Sequence, residues 1–218
     1  ITEYLREGEN EVILRVVFQA PNSRWYSGAG IYRNVWMICL PETHIPLDGI
    51  YTSSVETKKG YDLTIDTELE WGAGDGNYEL EYCLHQTGDS KNSTETEELE
   101  IFREKQSLTG GQEKVTVTIP VDNLRKWDIT DPYLYDLTVR LYRLPGNNGA
   151  DGTAQAPENV QEEHLRIGFR TIQFDPNRGF LLNGRKVRLN GACDHHDLGA
   201  LGAAFHKEAM RRKFERMR

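Results

Sequence analysis

The sequence predicts an all-β protein built around an antiparallel β-sandwich. Three observations carry that prediction: a clean two-residue alternation of apolar and polar side chains in six runs, short turn-rich links between the runs, and a supply of rings (ten Tyr, four Trp and seven Phe). Successive side chains on a strand point to opposite faces, so each alternating run reads as a strand buried on one side. Flat rings pack well on a pleated surface. Six or more such strands joined by short turns favour a sandwich.

The runs, in order, are Val12, Leu14, Val16 and Phe18; Tyr61, Leu63 and Ile65; Tyr78, Leu80, Tyr82 and Leu84; Val115, Val117 and Ile119; Tyr135, Leu137, Val139 and Leu141; and Leu165, Ile167 and Phe169. Residues between them are largely polar, such as Thr116 and Thr118, or Asp62, Thr64 and Asp66. Residues 86–96 and 144–159 are rich in Gly, Asn and other small or polar residues and read as surface loops. Asn92-Ser93-Thr94 has the form of a glycosylation triplet, a pattern common by chance. Further on, Phe180 and Leu182 lead into Asn183-Gly184, and Val187 and Leu189 follow. Asn and Gly both tolerate positive φ, so this is a tight hairpin with a type I′ turn. The last dozen residues are helical, with Met210, Phe214 and Met217 on one face.

Composition excludes several classes. At 218 residues the chain has room for one large or two small domains. A net charge of −8 disfavours nucleic acid, which needs a basic face. Arg211, Arg212 and Lys213 read as the solvated side of a helix. No run approaches the roughly 20 apolar residues of a membrane span. The opening Ile-Thr-Glu-Tyr is no signal peptide and lacks a starting Met, so the chain reads as part of a longer one and encodes no compartment. Cys39, Cys83 and Cys193 are too few and too scattered for a disulfide framework or a metal pair; buried free thiols are expected.

Two segments are more specific. One is Arg24-Trp25-Tyr26-Ser27-Gly28-Ala29-Gly30-Ile31-Tyr32-Arg33-Asn34-Val35-Trp36. The other runs from Gly168-Phe169-Arg170 through Gly179-Phe180-Leu181-Leu182-Asn183-Gly184-Arg185 to Gly191 and His195-His196-Asp197-Leu198-Gly199. The first resembles the segment that closes the N-terminal sugar-binding jelly roll of glycoside hydrolase family 2, the β-galactosidase and β-glucuronidase group. The second resembles the beginning of that family's catalytic (β/α)8 barrel. Between them lies room for one immunoglobulin-like sandwich of about 100 residues. The resemblance thus implies remnant jelly-roll strands in residues 1–40, an immunoglobulin-like antiparallel β-sandwich in 41–172, and a β-hairpin with a short helix opening the barrel in 173–218. Val187 to Asn190 would be the first barrel strand.

Family members hydrolyse β-glycosides with retention, using two carboxyl groups about 5–5.5 Å apart. In the family both are glutamates on later barrel strands, so no catalytic residue is expected here, and no cofactor. The acidic cluster Glu95, Glu97, Glu98 and Glu100 reads as a solvated loop or strand edge rather than a substitute. His195 falls where relatives carry a sugar-contacting histidine, and the imidazole can both donate and accept. His196 and Asp197 are further substrate-binding candidates, although Asp194-His195-His196-Asp197 departs from the family's Asn-Arg/Lys-His-Glu pattern. The same residues could instead brace the strand end. A metal site on His-His-Asp is disfavoured, since adjacent residues of a strand point opposite ways and further ligands are lacking. Trp25, Tyr26 and Tyr32 could stack on sugar, and Gly28 and Gly30 could suggest a phosphate loop. The first reads better as a buried domain junction, and the second lacks its fingerprint and helix.

The expected function is therefore the non-catalytic scaffold of a retaining β-glycosidase, with a carbohydrate substrate bound by the whole enzyme and the isolated chain inactive. Strand exchange or a homo-oligomer would satisfy unpaired strands. The alternative is a stand-alone immunoglobulin-like carbohydrate-binding or adhesion module, supported by fold alone.

Overall fold

The computed structural model describes residues 1–19, 29–31, 33–73, 76–86, 99–146, 155–194 and 198–217. The chain divides into two compact units, Cys39–Asn190 and Ile1–Ile38 with Gly191–Arg218.

The larger unit is a sandwich. Its strands are β1 (Ile50–Glu56), β2 (Gly60–Glu68), β3 (Asn77–Gln86), β4 (Leu99–Leu108), β5 (Lys114–Asp122), β6 (Tyr135–Leu144) and β7 (Glu158–Ile167). One sheet runs β1-β2-β5 and the other β4-β3-β6-β7, every pair antiparallel. The chain crosses from one sheet to the other after β2, after β4 and after β5, in the immunoglobulin manner. The inner-facing residues form one core: Tyr61, Leu63 and Ile65 of β2 and Val115 and Val121 of β5, with Tyr78, Leu80, Tyr82 and Leu84 of β3 and Leu137, Val139 and Leu141 of β6. Each fully buried aliphatic side chain contributes about 1.5–3 kcal/mol, which is what makes these positions apolar.

Polar groups inside the core are matched. The Tyr82 hydroxyl and Thr67 Oγ1 lie 3.0 Å apart and join the sheets; burial pushes the Tyr82 phenol up to about 12. Tyr135, at the start of β6, accepts the Arg125 backbone N–H at 2.7 Å. This is the tyrosine corner of such sandwiches, and its ring meets Phe169 edge-on with centroids 5.4 Å apart. Buried Gln161 accepts from the Ile45 N–H at 2.8 Å and donates to the Ile45 carbonyl at 2.9 Å, tying the incoming segment to β7. Gly60 is required by close approach: a Cβ there would stand 2.0 Å from the Val121 carbonyl oxygen.

Beyond β7 the unit continues into a small sheet of β8 (Ile172–Asp175), β9 (Gly179–Leu182) and β10 (Arg185–Lys186), in the order β10-β9-β8. Asn183 and Gly184 connect β9 to β10 with φ of 50° and 75°. Both values are positive, as the type I′ turn requires.

Several expectations are corrected. Residues 12–18 form no strand, and Val12, Leu14, Val16 and Phe18 are exposed. Alternation alone does not make a strand when no neighbour among the described residues takes its hydrogen bonds. Residues 187–190 likewise carry no strand; Val187 donates one bond to Phe180. Phe169 is buried but lies past the end of β7. Of the cysteines, Cys83 is buried while Cys39 and Cys193 are exposed, both of these lying in stretches without strand or helix; all three are free.

Among its described residues the smaller unit contains short 3-10 turns at Thr2–Tyr4 and Gly199–Leu201 and one helix, α1 (Lys207–Met217). The helix falls where its periodicity predicts, with Phe214 and Met217 exposed. None of the unit's described residues is buried.

Candidate functional site

The residues singled out by sequence, His195, His196 and Asp197, lie outside the described residues, as do Trp25, Tyr26, Gly28, Tyr32, Asn92, Ser93, Thr94, Glu95, Glu97 and Glu98. The flanks of the His-His-Asp segment are described. Asp194 precedes it and forms an ion pair and hydrogen bond with Lys213 of α1. Leu198 follows it, donates its N–H to the Gly202 carbonyl at 2.9 Å, and leads into the turn at Gly199–Leu201. The chain can reverse there because Gly199 and Gly202 take φ of 66° and 57°, a region costly for side-chain-bearing residues.

Asp194 and Leu198 both line a hollow of about 190 Å³, together with Arg33, Ala203, Ala204, Phe205 and Met210. A carboxylate and a guanidinium set in apolar walls suit recognition of a polar ligand. They do not suit retaining hydrolysis by themselves, which needs a pair of carboxyl groups. Asp194 is the one carboxylate among the described lining residues, and it is engaged by Lys213. Sequence reasoning assigned Lys213 to a solvated helix side; the structure gives it a partner nineteen residues away. Helical periodicity places a residue on a face but does not say what meets that face. The described residues contain no cluster of three or more metal-ligating side chains.

A buried carboxylate ringed by cations stands elsewhere, on the outer face of the larger sheet. Glu81 of β3 is buried, yet Arg103 reaches it at 2.9 Å, Arg140 at 3.2 Å and Lys105 at 3.8 Å. Burial opposes its ionisation, but the hydrogen bonds and charges of Arg103, Arg140 and Lys105 outweigh that and hold its pKa below the ordinary value. Register explains the convergence: Glu81 pairs across to Lys105 of β4 and to Arg140 of β6. Glu100 of β4 pairs with Arg103 at 2.6 Å and Glu162 of β7 with Arg140 at 2.6 Å, so the cations are shared. Burial, and then the Glu81 charge, push the adjacent Cys83 thiol up, away from the reactive thiolate. A perturbed carboxylate can mark a catalytic site, but this one is saturated with cations and is structural.

Comparison with known proteins identifies the lineage. The sequence profile described as glycosyl hydrolases family 2 matches residues 43–170. The chain belongs to glycosyl hydrolases family 2. The match covers most of the sandwich, from the segment before β1 to the residue after Phe169. Among family 2 relatives, a β-galactosidase of Bacteroides ovatus, BoGH2A, is 36% identical over 220 residues, covering 99% of this chain and 24% of its own length. A family 2 member from Bacteroides cellulosilyticus has a similar structure, with a TM-score of 0.72 and 29% identity over 92% of this chain and 25% of its own. A β-glucuronidase of Bacteroides uniformis superposes with a TM-score of 0.65 and 26% identity, covering 91% of this chain and 23% of its own. The chain therefore spans about a quarter of the length of these family 2 proteins.

Proposed function

We propose that this chain is the scaffold portion of a retaining β-glycosidase, with β-galactosides as the first substrate class. In this reading residues 1–40 close a sugar-binding jelly roll, residues 41–172 are the spacer sandwich and residues 173–218 open the catalytic barrel. The observation that carries it is the 36% identity to a β-galactosidase across 99% of the chain. The match covers 99% of the chain, so the similarity extends before and after the sandwich rather than stopping at it. The sandwich offers what a spacer needs, a single continuous core in which the buried polar side chains of the described residues are matched. His195, His196 and Asp197 then contribute to the sugar pocket of the whole enzyme; the residues on either side of them in sequence, Asp194 and Leu198, line the hollow. The two glutamates of the reaction belong to later barrel strands.

The test is an assay of the 218-residue chain, beside a longer product of the same reading frame, on aryl β-galactosides and aryl β-glucuronides. The long form is expected to cleave the galactoside and the short form neither substrate. Turnover by the 218-residue chain itself would overturn the scaffold reading. In the long form, His195→Ala is expected to raise KM without lowering the melting temperature; an unchanged KM would remove His195 from the pocket.

A further inference from the structure

The β9–β10 turn is held by an unusual use of its first residue. Asn183 Oδ1 accepts the Thr171 backbone N–H at 3.0 Å, and Asn183 Nδ2 donates to the Trp127 carbonyl at 3.0 Å. The Asn183 backbone N–H donates to the Thr171 carbonyl at 2.8 Å. One residue thus ties the turn to the segment leading into β8 and to the link between β5 and β6. Next to it, the Arg185 guanidinium reaches both oxygens of Asp128, at 2.7 and 2.8 Å. Asn183 and Arg185 together clasp the small sheet onto the end of the sandwich.

The same dipeptide is chemically labile. A glycine after an asparagine leaves its main-chain nitrogen unhindered, and the space around Gly184 is open, with nothing within 4 Å of where a Cβ would be. We propose that Asn183 is a deamidation site governed by this clasp: the reaction waits for the small sheet to lift, and its product prevents re-docking. In the reaction the Gly184 nitrogen loses its proton and attacks Asn183 Cγ. The Cγ–Nδ2 bond breaks and ammonia leaves, giving a five-membered cyclic imide. Water then opens the ring at either carbonyl, to aspartate or isoaspartate. The balance is amide plus water to carboxylic acid plus ammonia, and no other reactant is needed.

The clasp controls the first step because ring closure requires Cγ to rotate onto the Gly184 nitrogen. That rotation gives up the bonds to Thr171 and Trp127. The product cannot restore both. Aspartate can still accept from Thr171 but cannot donate to Trp127, and its carboxylate then faces the partly buried Trp127 carbonyl oxygen. Isoaspartate lengthens the main chain by one carbon, which a two-residue turn cannot absorb.

The test follows the tryptic peptide Gly179–Arg185, bounded by cleavage after Arg178 and Arg185, during incubation in mildly alkaline buffer. Mass spectrometry reads the replacement of NH2 by OH. The folded chain is expected to react at least about tenfold more slowly than the synthetic heptapeptide, the factor that an opening free energy of about 1.4 kcal/mol produces. Asp128→Ala, which frees Arg185 and also removes the carboxylate that meets the Asn183 side chain, is expected to raise the rate about threefold or more. Asn183→Asp, the pre-formed product, is expected to speed hydrogen exchange of the Val187 amide while leaving β2 and β3 amides protected. Equal rates in folded chain and heptapeptide, no acceleration in Asp128→Ala, or unchanged exchange in Asn183→Asp would each overturn the proposal.

Discussion

Glu81 is the residue whose environment makes the sharpest claim. It sits on the outer face of a sheet, where alternation predicts a solvated side chain, and is instead 4% exposed. The alternating run around it was legible, because Tyr78, Leu80, Tyr82 and Leu84 all face the core. The burial of Glu81 was not, because it depends on which residues stand beside β3 on both sides. Only the pairing of β3 with β4 and β6 brings Arg103, Lys105 and Arg140 over one carboxylate. Its lowered pKa has a direct consequence for stability. In the unfolded chain the group takes up its proton near the ordinary value of 4.5; in the folded chain it does so at lower pH. Above 4.5 both states are ionised and the ion-pair network stabilises fully. Below it the unfolded chain protonates first, so stability falls as pH drops through the folded pKa. Glu100 and Glu162, whose pKa values are lowered by hydrogen bonds to Arg103 and Arg140, slope the same way. Glu81→Gln is expected to cost about 1–3 kcal/mol at neutral pH. It should also flatten the fall in melting temperature between about pH 5 and pH 3. Thermal melts of both proteins across that range check the sign and the slope.

At the scale of elements, β2, β3, β5, β6 and β7 could be read from alternation, and β1, β4 and β8 could not. For β4 the reason is a bulge. Leu84 pairs with Phe102 and His85 with Glu100, so Ile101 is an extra residue and both Ile101 and Phe102 are half-buried. One extra residue shifts the period, and the run loses its alternation. A second bulge at Val160 brings Gln161 inward, where it binds Ile45. β1 was hidden for another reason: as an edge strand it exposes Tyr51 and Val55, and its remaining residues are mostly small and polar. Residues 12–18 show the converse, a clear period without a partner strand among the described residues. The hairpin turn was legible because Asn-Gly states its own geometry. Strand pairing also explains why Gly60 tolerates no side chain. It opens β2 opposite Asp122, beneath the Val121 carbonyl, after a turn in which its carbonyl accepts from Thr57 at 2.9 Å. Gly60→Ala must push β5 away from β2 and is expected to cost about 1–3 kcal/mol, as other overpacked sites do. Urea denaturation reads that loss as a lower midpoint at unchanged slope.

For the whole molecule, stability is unevenly placed. The unit from Cys39 to Asn190 holds the buried core, whereas no described residue of the other unit is buried. Hydrophobic burial is the dominant favourable term in folding, so the cooperative transition belongs to the sandwich. Segments with few buried contacts open at low free energy and are cut first by proteases. The small sheet stands on the protected side of that division. Leu181 and Leu182 are buried, and Asn183 and Arg185 fasten the turn to the Trp127–Asp128 segment. Under limited proteolysis the chain is expected to shed residues from both ends and leave a resistant product running from near Cys39 to near Asn190. A recombinant protein with those limits should melt within a few degrees of the 218-residue chain, since a loss of about 1 kcal/mol moves the midpoint of a domain this size by about 2–4 °C. A product ending instead near Thr171 would mean that the small sheet is not fastened to the sandwich. A markedly lower melting temperature for the 39–190 protein would mean that the other unit contributes packing beyond its exposed side chains.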